Sequence, residues 1–245
     1  MRYEIKGGSL PVAIIKLNRG DRILTQSGGM SWHTGGISVQ TKGMGGIGKM
    51  IKRSLSGESM FQNIYQADED NQEIALASTF PGDILPFDVG KSESLIVQSK
   101  SFLASDVGVK SDIFFQKRIG SGLFGGEGFI MLKLTGEGFA FLEVDGSVHE
   151  YMLRAGEKMI VDTGHMIAME ETCTMSIEKA GNIKSMFLGG EGAFNTVIAG
   201  PGKLYLQSMP LNRLQALIAP NTGSTSGSWI EETIQFFLTW EDFEI

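Results

Sequence analysis

The sequence predicts an all-β chain: a β-sandwich built from three internal repeats in a pseudo-three-fold arrangement, with short helices in the first repeat and at the C-terminus. Two sets of landmarks and a period-two hydrophobic pattern carry this expectation. The first set is Ile23-Leu24-Thr25-Gln26-Ser27-Gly28-Gly29-Met30, Leu95-Ile96-Val97-Gln98-Ser99-Lys100-Ser101-Phe102 and Met159-Ile160-Val161-Asp162-Thr163-Gly164-His165-Met166. Each has two apolar residues, a β-branched residue, an amide or acid, a hydroxyl and then an apolar residue closing the turn. The second set, Gly57-Glu58-Ser59, Gly126-Glu127-Gly128 and Gly190-Glu191-Gly192, follows the first at a near-constant distance. Two independent landmarks in one register mark a repeat, and each unit reads as a strand-turn-strand module that needs neighbours to bury its apolar face.

In chain order, Leu10 to Ile15 alternates as a strand, as do Phe129 to Leu134 and Lys203 to Gln207. In the middle copy both faces are apolar, which suits the junction of stacked sheets. Gly136-Glu137-Gly138 and Gly200-Pro201-Gly202 hold the same place in their repeats and read as tight hairpin loops that need positive φ. The first copy has the longer, acidic Ala67-Asp68-Glu69-Asp70-Asn71 there. From Met44 to Leu55, Ile47, Met50, Ile51 and Leu55 fall on helical spacing around Lys49, Lys52 and Arg53, predicting an amphipathic helix inserted only in the first copy. Leu211 to Ile218 and Trp229 to Trp240 predict two more helices, separated by a Gly/Ser/Thr linker. The expected organisation is one β domain over residues 1–207, with repeats at about 9–78, 79–145 and 146–207, then a helical segment and tail over 208–245.

A chain of 245 residues with 42% hydrophobic and 20% charged residues can bury a large core in one domain. No apolar run approaches the eighteen or so residues that span a bilayer, and the N-terminus carries no signal-peptide pattern. With a single cysteine, Cys173, these features point to the cytoplasm. A net charge of −7 disfavours broad nucleic-acid or anionic-lipid binding, which needs a basic face.

Catalytic and cofactor signals are thin. Gly43-Met44-Gly45-Gly46-Ile47-Gly48-Lys49-Met50 spells both G-x-G-x-x-G and the start of a phosphate loop, but Met50 stands where the magnesium-binding hydroxyl belongs. No alternating strand-helix pattern follows, so no nucleotide cofactor is expected. His33, His149 and His165 have no metal-ligand spacing to each other or to Cys173, and no nucleophile-base-acid set can be assembled. His165 matches Gly29 and Ser101 in the landmark and reads as a turn position. The repeated Glu58, Glu127 and Glu191 are expected to be structural, each carboxylate accepting backbone amides of its glycine turn. A shared cation site is the lesser reading, because hard cations want several converging oxygens. No catalytic, cofactor-binding or metal residue is assigned.

The run Gly45 to Arg53 followed by Gly57-Glu58-Ser59-Met60-Phe61, the block Gln98 to Ala104, and Gly125 to Gly128 followed by Gly136-Glu137-Gly138 together resemble the altered-inheritance-of-mitochondria family over roughly Met1 to Leu217. The resemblance implies a sandwich similar to the tryptophan-RNA-binding attenuation protein, built by internal repetition, in a family with many bacterial members of unknown function. Its mitochondrial members are linked to inner-membrane organisation. The resemblance supplies no catalytic residues. The expected function is a non-enzymatic scaffold or binding module that supports assembly or membrane-associated organisation, with self-association into a homo-oligomer. A small-molecule binder using a pocket between repeats is the alternative.

Overall fold

The computed structural model describes residues 2–26, 28–41, 62–90, 94–117, 128–179 and 194–210. The expected helix from Met44 to Leu55, the C-terminal helices and tail, and Glu58, Glu127 and Glu191 all lie outside them. The first compact unit of the chain runs over Met1–Leu211.

An N-terminal strand, β1 (Arg2–Lys6), precedes three runs of six strands. The first run is β2 (Val12–Leu17), β3 (Arg22–Gln26), β4 (Trp32–His33), β5 (Ile37–Thr41), β6 (Gln62–Ala67) and β7 (Gln72–Ala77). The second is β8 (Gly82–Val89), β9 (Leu95–Gln98), β10 (Phe102–Asp106), β11 (Val109–Lys117), β12 (Phe129–Gly136) and β13 (Gly138–Asp145). The third is β14 (Val148–Leu153), β15 (Lys158–Asp162), β16 (Met166–Glu170), β17 (Thr174–Lys179), β18 (Phe194–Ala199) and β19 (Gly202–Gln207). Short 3-10 turns at Ser99–Ser101 and Thr163–His165 join β9 to β10 and β15 to β16. The turn expected at His165 is therefore present.

Every strand pairing is antiparallel, in four sheets ordered β1-β2-β7-β4, β5-β6-β3-β10-β13-β8, β11-β12-β9-β16-β19-β14 and β15-β18-β17. One pairing scheme recurs in each run: the first, sixth and third strands are neighbours, as are the fourth, fifth and second. Landmark positions match in this frame, since Ile23 faces Tyr65, Leu95 faces Leu134 and Met159 faces Ile198. The runs join where the second strand of one pairs with the third strand of the next, β3 with β10 and β9 with β16. A closed three-fold ring would need the same joint between β15 and β4. These two strands belong to separate sheets, so the strand order shows two joints of three and not a closed arrangement.

The alternation of side chains explains how the sheets stack. Successive residues of a strand point to opposite faces, so a strand buried on both faces must be apolar throughout. β12 is such a strand up to the half-buried Lys133 and Thr135 near its end: Ile130, Leu132 and Leu134 enter one core while Phe129 and Met131 enter the next. The first core joins Ile15, Leu17, Ile74 and Leu76 to Leu103 and Phe141. The second joins Leu95, Val97 and Phe102 to Leu142 and Val144, and the third centres on Ile96, Phe129, Met166 and Ile198. Each six-stranded sheet thus serves one core on one face and the next core on the other.

The loops expected as hairpins join the fifth and sixth strands of each run. These strands lie in different sheets, β6 apart from β7, β12 from β13 and β18 from β19, so the loops are corners between sheets and not the expected hairpins. Gly136, Gly138 and Gly202 take φ of +96°, +127° and +143°, and Gly200 instead precedes a cis peptide to Pro201. The alternating strand read from Leu10 begins at Val12, because the chain turns through Gly7 to Leu10, where Leu10 N–H donates to the Gly7 carbonyl at 3.1 Å.

Candidate functional site

Carboxylates that hold backbone amides beside glycine turns are present, on residues other than the repeated glutamates. Asp106 ends β10 and Glu170 ends β16, each beside a glycine turn that passes from one sheet to the next. Phe139 N–H donates to Asp106 Oδ2 at 2.7 Å, and Lys203 N–H donates to Glu170 Oε2 at 2.8 Å. In the first run Thr34, just after β4, takes the same place and its Oγ1 accepts from Glu73 N–H at 3.0 Å. Space is tight there: a Cβ on Gly138 would lie 2.5 Å from Asp106 Cβ, and one on Gly202 would lie 2.8 Å from Cys173 Sγ. The signal was available in the sequence, since Thr34, Asp106 and Glu170 stand at one distance beyond Met30, Phe102 and Met166.

Burial pushes the Asp106 carboxyl above its ordinary 3.8, against the lowering effect of the Phe139 amide; the Asp21 and Asp88 charges add to the rise. The folded state therefore binds more protons than the unfolded chain in the window just above 3.8. The contribution of Asp106 is fully present below 3.8 and is lost as pH rises through the raised folded value. Asp106→Asn keeps an acceptor for Phe139 N–H and removes the titration. Its melting temperature is expected to gain on the wild type as pH rises from ~3 to ~7, read by thermal melts at each pH. A constant difference at all pH values would refute this.

An open groove of about 260 Å³ lies in the third run, below the ~300–1,000 Å³ of typical ligand pockets. His149 and Tyr151 of β14 face Met159, Ile160 and Val161 of β15, with His165, Leu206, Gln207 and Ser208 completing the wall. By strand pairing, His149 and Tyr151 match Leu85 and Phe87 of β8 and Ala13 and Ile15 of β2. Those four residues are buried or pack on a core. The third run thus places an imidazole and a phenol where the other two close their sandwiches with apolar side chains.

His165 Nδ1 lies 2.7 Å from the Gln207 carbonyl oxygen. A carbonyl only accepts, so Nδ1 carries the proton and a neutral ring keeps Nε2 as an acceptor. The Gln207 side chain is itself braced, accepting Asp145 N–H at 3.1 Å and donating to the Gly164 carbonyl at 3.0 Å. His33 is far from this arrangement in sequence and sits on β4, its Nδ1 2.7 Å from the Thr34 carbonyl. Among the described residues no group of three or more His, Cys, Asp or Glu side chains is placed to hold a metal. Cys173 is buried, and burial followed by the Glu170 charge pushes its thiol up, away from the reactive thiolate. The groove offers one fixed imidazole acceptor, one phenol and an apolar strip, which is chemistry for binding.

The family model described as Mitochondrial biogenesis AIM24 matches residues 3–209. The chain belongs to this family. The family match spans all the described β strands but the first residue of β1. An uncharacterised protein of Streptococcus pyogenes serotype M6 is 31% identical over 222 residues, covering 87% of this chain and 88% of its own. The X-ray crystal structure of protein SPYM3_0169 from Streptococcus pyogenes, a structural genomics target, superposes with a TM-score of 0.75 at 26% identity, covering 89% of this chain and 97% of that one. Family and fold are thus shared with bacterial relatives whose function is uncharacterised. Among the described residues no helix is long and apolar enough to cross a membrane.

Proposed function

We propose that this AIM24-family protein is a non-enzymatic scaffold or binding module of the cytoplasm that works through the exposed side of its third strand run. The observation that supports this is the apolar surface between β14 and β15, where Tyr151 is 42% and Ile160 68% exposed. Monomeric soluble proteins seldom leave such adjoining apolar side chains in water unless a partner covers them. The net charge of −7 disfavours nucleic acid as the partner, since broad phosphate binding needs a basic face.

A small molecule held against His165 in the groove is the second reading, favoured by the fixed imidazole. Burial of several aromatics beside unpaired polar groups would mark such a pocket. Tyr151 is the only aromatic besides the two imidazoles on the wall, and the one buried unpaired side-chain polar atom among the described residues, Thr25 Oγ1, lies on β3, outside the groove. The test is native mass spectrometry of what the purified chain retains, for the wild type, Tyr151→Ser/Ile160→Ser and His165→Ala. Retained protein lost only in the double variant supports the scaffold. A bound mass of a few hundred daltons lost in His165→Ala would replace it with the ligand reading.

A further inference from the structure

The two internal joints share one register. Ala104, Ser105 and Asp106 of β10 lie opposite Thr25, Leu24 and Ile23 of β3, and Ala168, Met169 and Glu170 of β16 lie opposite Val97, Ile96 and Leu95 of β9. Matching residues exist on the two strands left without such a joint. Trp32 lies opposite Ala75 as Ala104 lies opposite Phe141 and Ala168 opposite Tyr205. Each cross-strand pair joins one alanine and one aromatic ring, but at β4 the order is inverted, so the large side chain sits on the free edge. Such a swap conserves the volume offered across the joint. On β15, Ile160 holds the place of Leu24, which packs on the second core, and of Ile96, which is fully buried in the third. In Ile160 the same position is 68% exposed, and Trp32 is 52% exposed where Ala104 and Ala168 are fully buried. Both unjoined edges therefore carry exposed apolar joint residues, beside strand edges that no other described strand pairs.

We propose that β15 of one copy pairs antiparallel with β4 of a second copy, in the register of the internal joints: Val161 opposite Trp32, Ile160 opposite His33 and Met159 opposite Thr34. The proposal rests on the scaffold reading above and names its partner as another copy of this chain. A second copy is the occupant because it brings the strand type that the two internal joints already accept, continuing the same sheet. The two edges differ, so the contact is head-to-tail: each copy offers β4 to one neighbour and β15 to another, and the assembly grows as a chain or closes as a ring.

The test uses the full chain carrying His33→Cys or Ile160→Cys, both at exposed positions, with the buried native Cys173 retained. Directly opposed antiparallel residues lie within disulfide reach, about 4.5–5.5 Å between Cα atoms. After mild oxidation of an equimolar mixture, a covalent dimer containing one of each variant is expected on a non-reducing gel, in at least about tenfold excess over either variant alone. The double variant is expected to give a ladder. Light scattering should place the wild type above the 26.6 kDa of one chain, with Ile160→Lys and, on the other edge, Trp32→Lys returning it to one chain. A double variant that cross-links only within itself would show that the chain closes its own third joint. No cross-link in the mixture, with both variants folded by circular dichroism, would show that another segment covers these edges. Either result overturns the pairing. If the wild type is also one chain in solution while the Tyr151→Ser/Ile160→Ser variant still loses a retained protein, the pairing fails and the scaffold reading stands.

Discussion

Phe141→Ala is expected to destabilise the protein by about 3–5 kcal/mol, the range for removing a fully buried phenylalanine ring. Phe141 is fully buried on β13 among Ile15, Ile74 and Leu103, and Tyr3 meets its ring edge-on at 5.2 Å between centroids and 86°. The loss combines the transfer energy of the ring, the cavity that the flanking sheets cannot close, and the aromatic contact with β1. Urea unfolding should show a lower midpoint at unchanged slope, and the melting temperature should fall on the order of 10 °C. Phe139→Ala is the internal control. It meets Tyr3 at the same 5.2 Å but is only partly buried, so its cost should be clearly smaller. Equal losses from the two substitutions would show that the first core does not depend on burial at Phe141.

The second large effect is expected at Gly138→Ala. Gly138 takes φ of +127°, which an L side chain rarely adopts, and the new Cβ would lie 2.5 Å from Asp106 Cβ and 2.8 Å from Asp106 Oδ2. The strain costs about 1–3 kcal/mol. Displacing the Asp106 carboxylate also breaks its charge-assisted bond from Phe139 N–H, at a further ~1–3 kcal/mol. Gly156→Ala separates the two contributions, because Gly156 has φ of +84° with nothing within 4 Å of its Cβ. It should show the backbone strain alone. Thermal melts in which both variants lose the same amount would remove Asp106 from the account.

The all-β class was legible in local pattern, since period-two alternation and glycine turns are set by neighbours in sequence, whereas the glycine loops read as hairpins turned out to pass from one sheet to another. The family, too, could be recognised from its ordered glycine motifs. The landmarks placed Ile23, Leu95 and Met159 at matching strand positions, while sheet order, and not a local turn, brings Tyr65, Leu134 and Ile198 opposite them. The repeated glutamates singled out in sequence lie outside the described residues, and the carboxylates seen to hold backbone amides, Asp106 and Glu170, were not singled out. Asp106 and Glu170 act across a strand pair, on Phe139 and Lys203, so the amide each one meets is fixed by sheet order and not by the glycines beside it.

The groove was equally hidden. His149 and Tyr151 sit in an ordinary strand pattern, and only their alignment through β19 with Leu85 and Phe87 shows that they replace core residues. Sequence by itself determined that the chain is built of strands that bury apolar faces and that its turns need glycine, because these are properties of near neighbours. Tertiary structure decided which repeats share a sheet. Strand edges are chemically alike along the chain, and only packing settles which edge finds a partner: among the described residues β3 and β9 find one in the next run, while β15 and β4 do not, and Ile160 and Trp32 stay exposed.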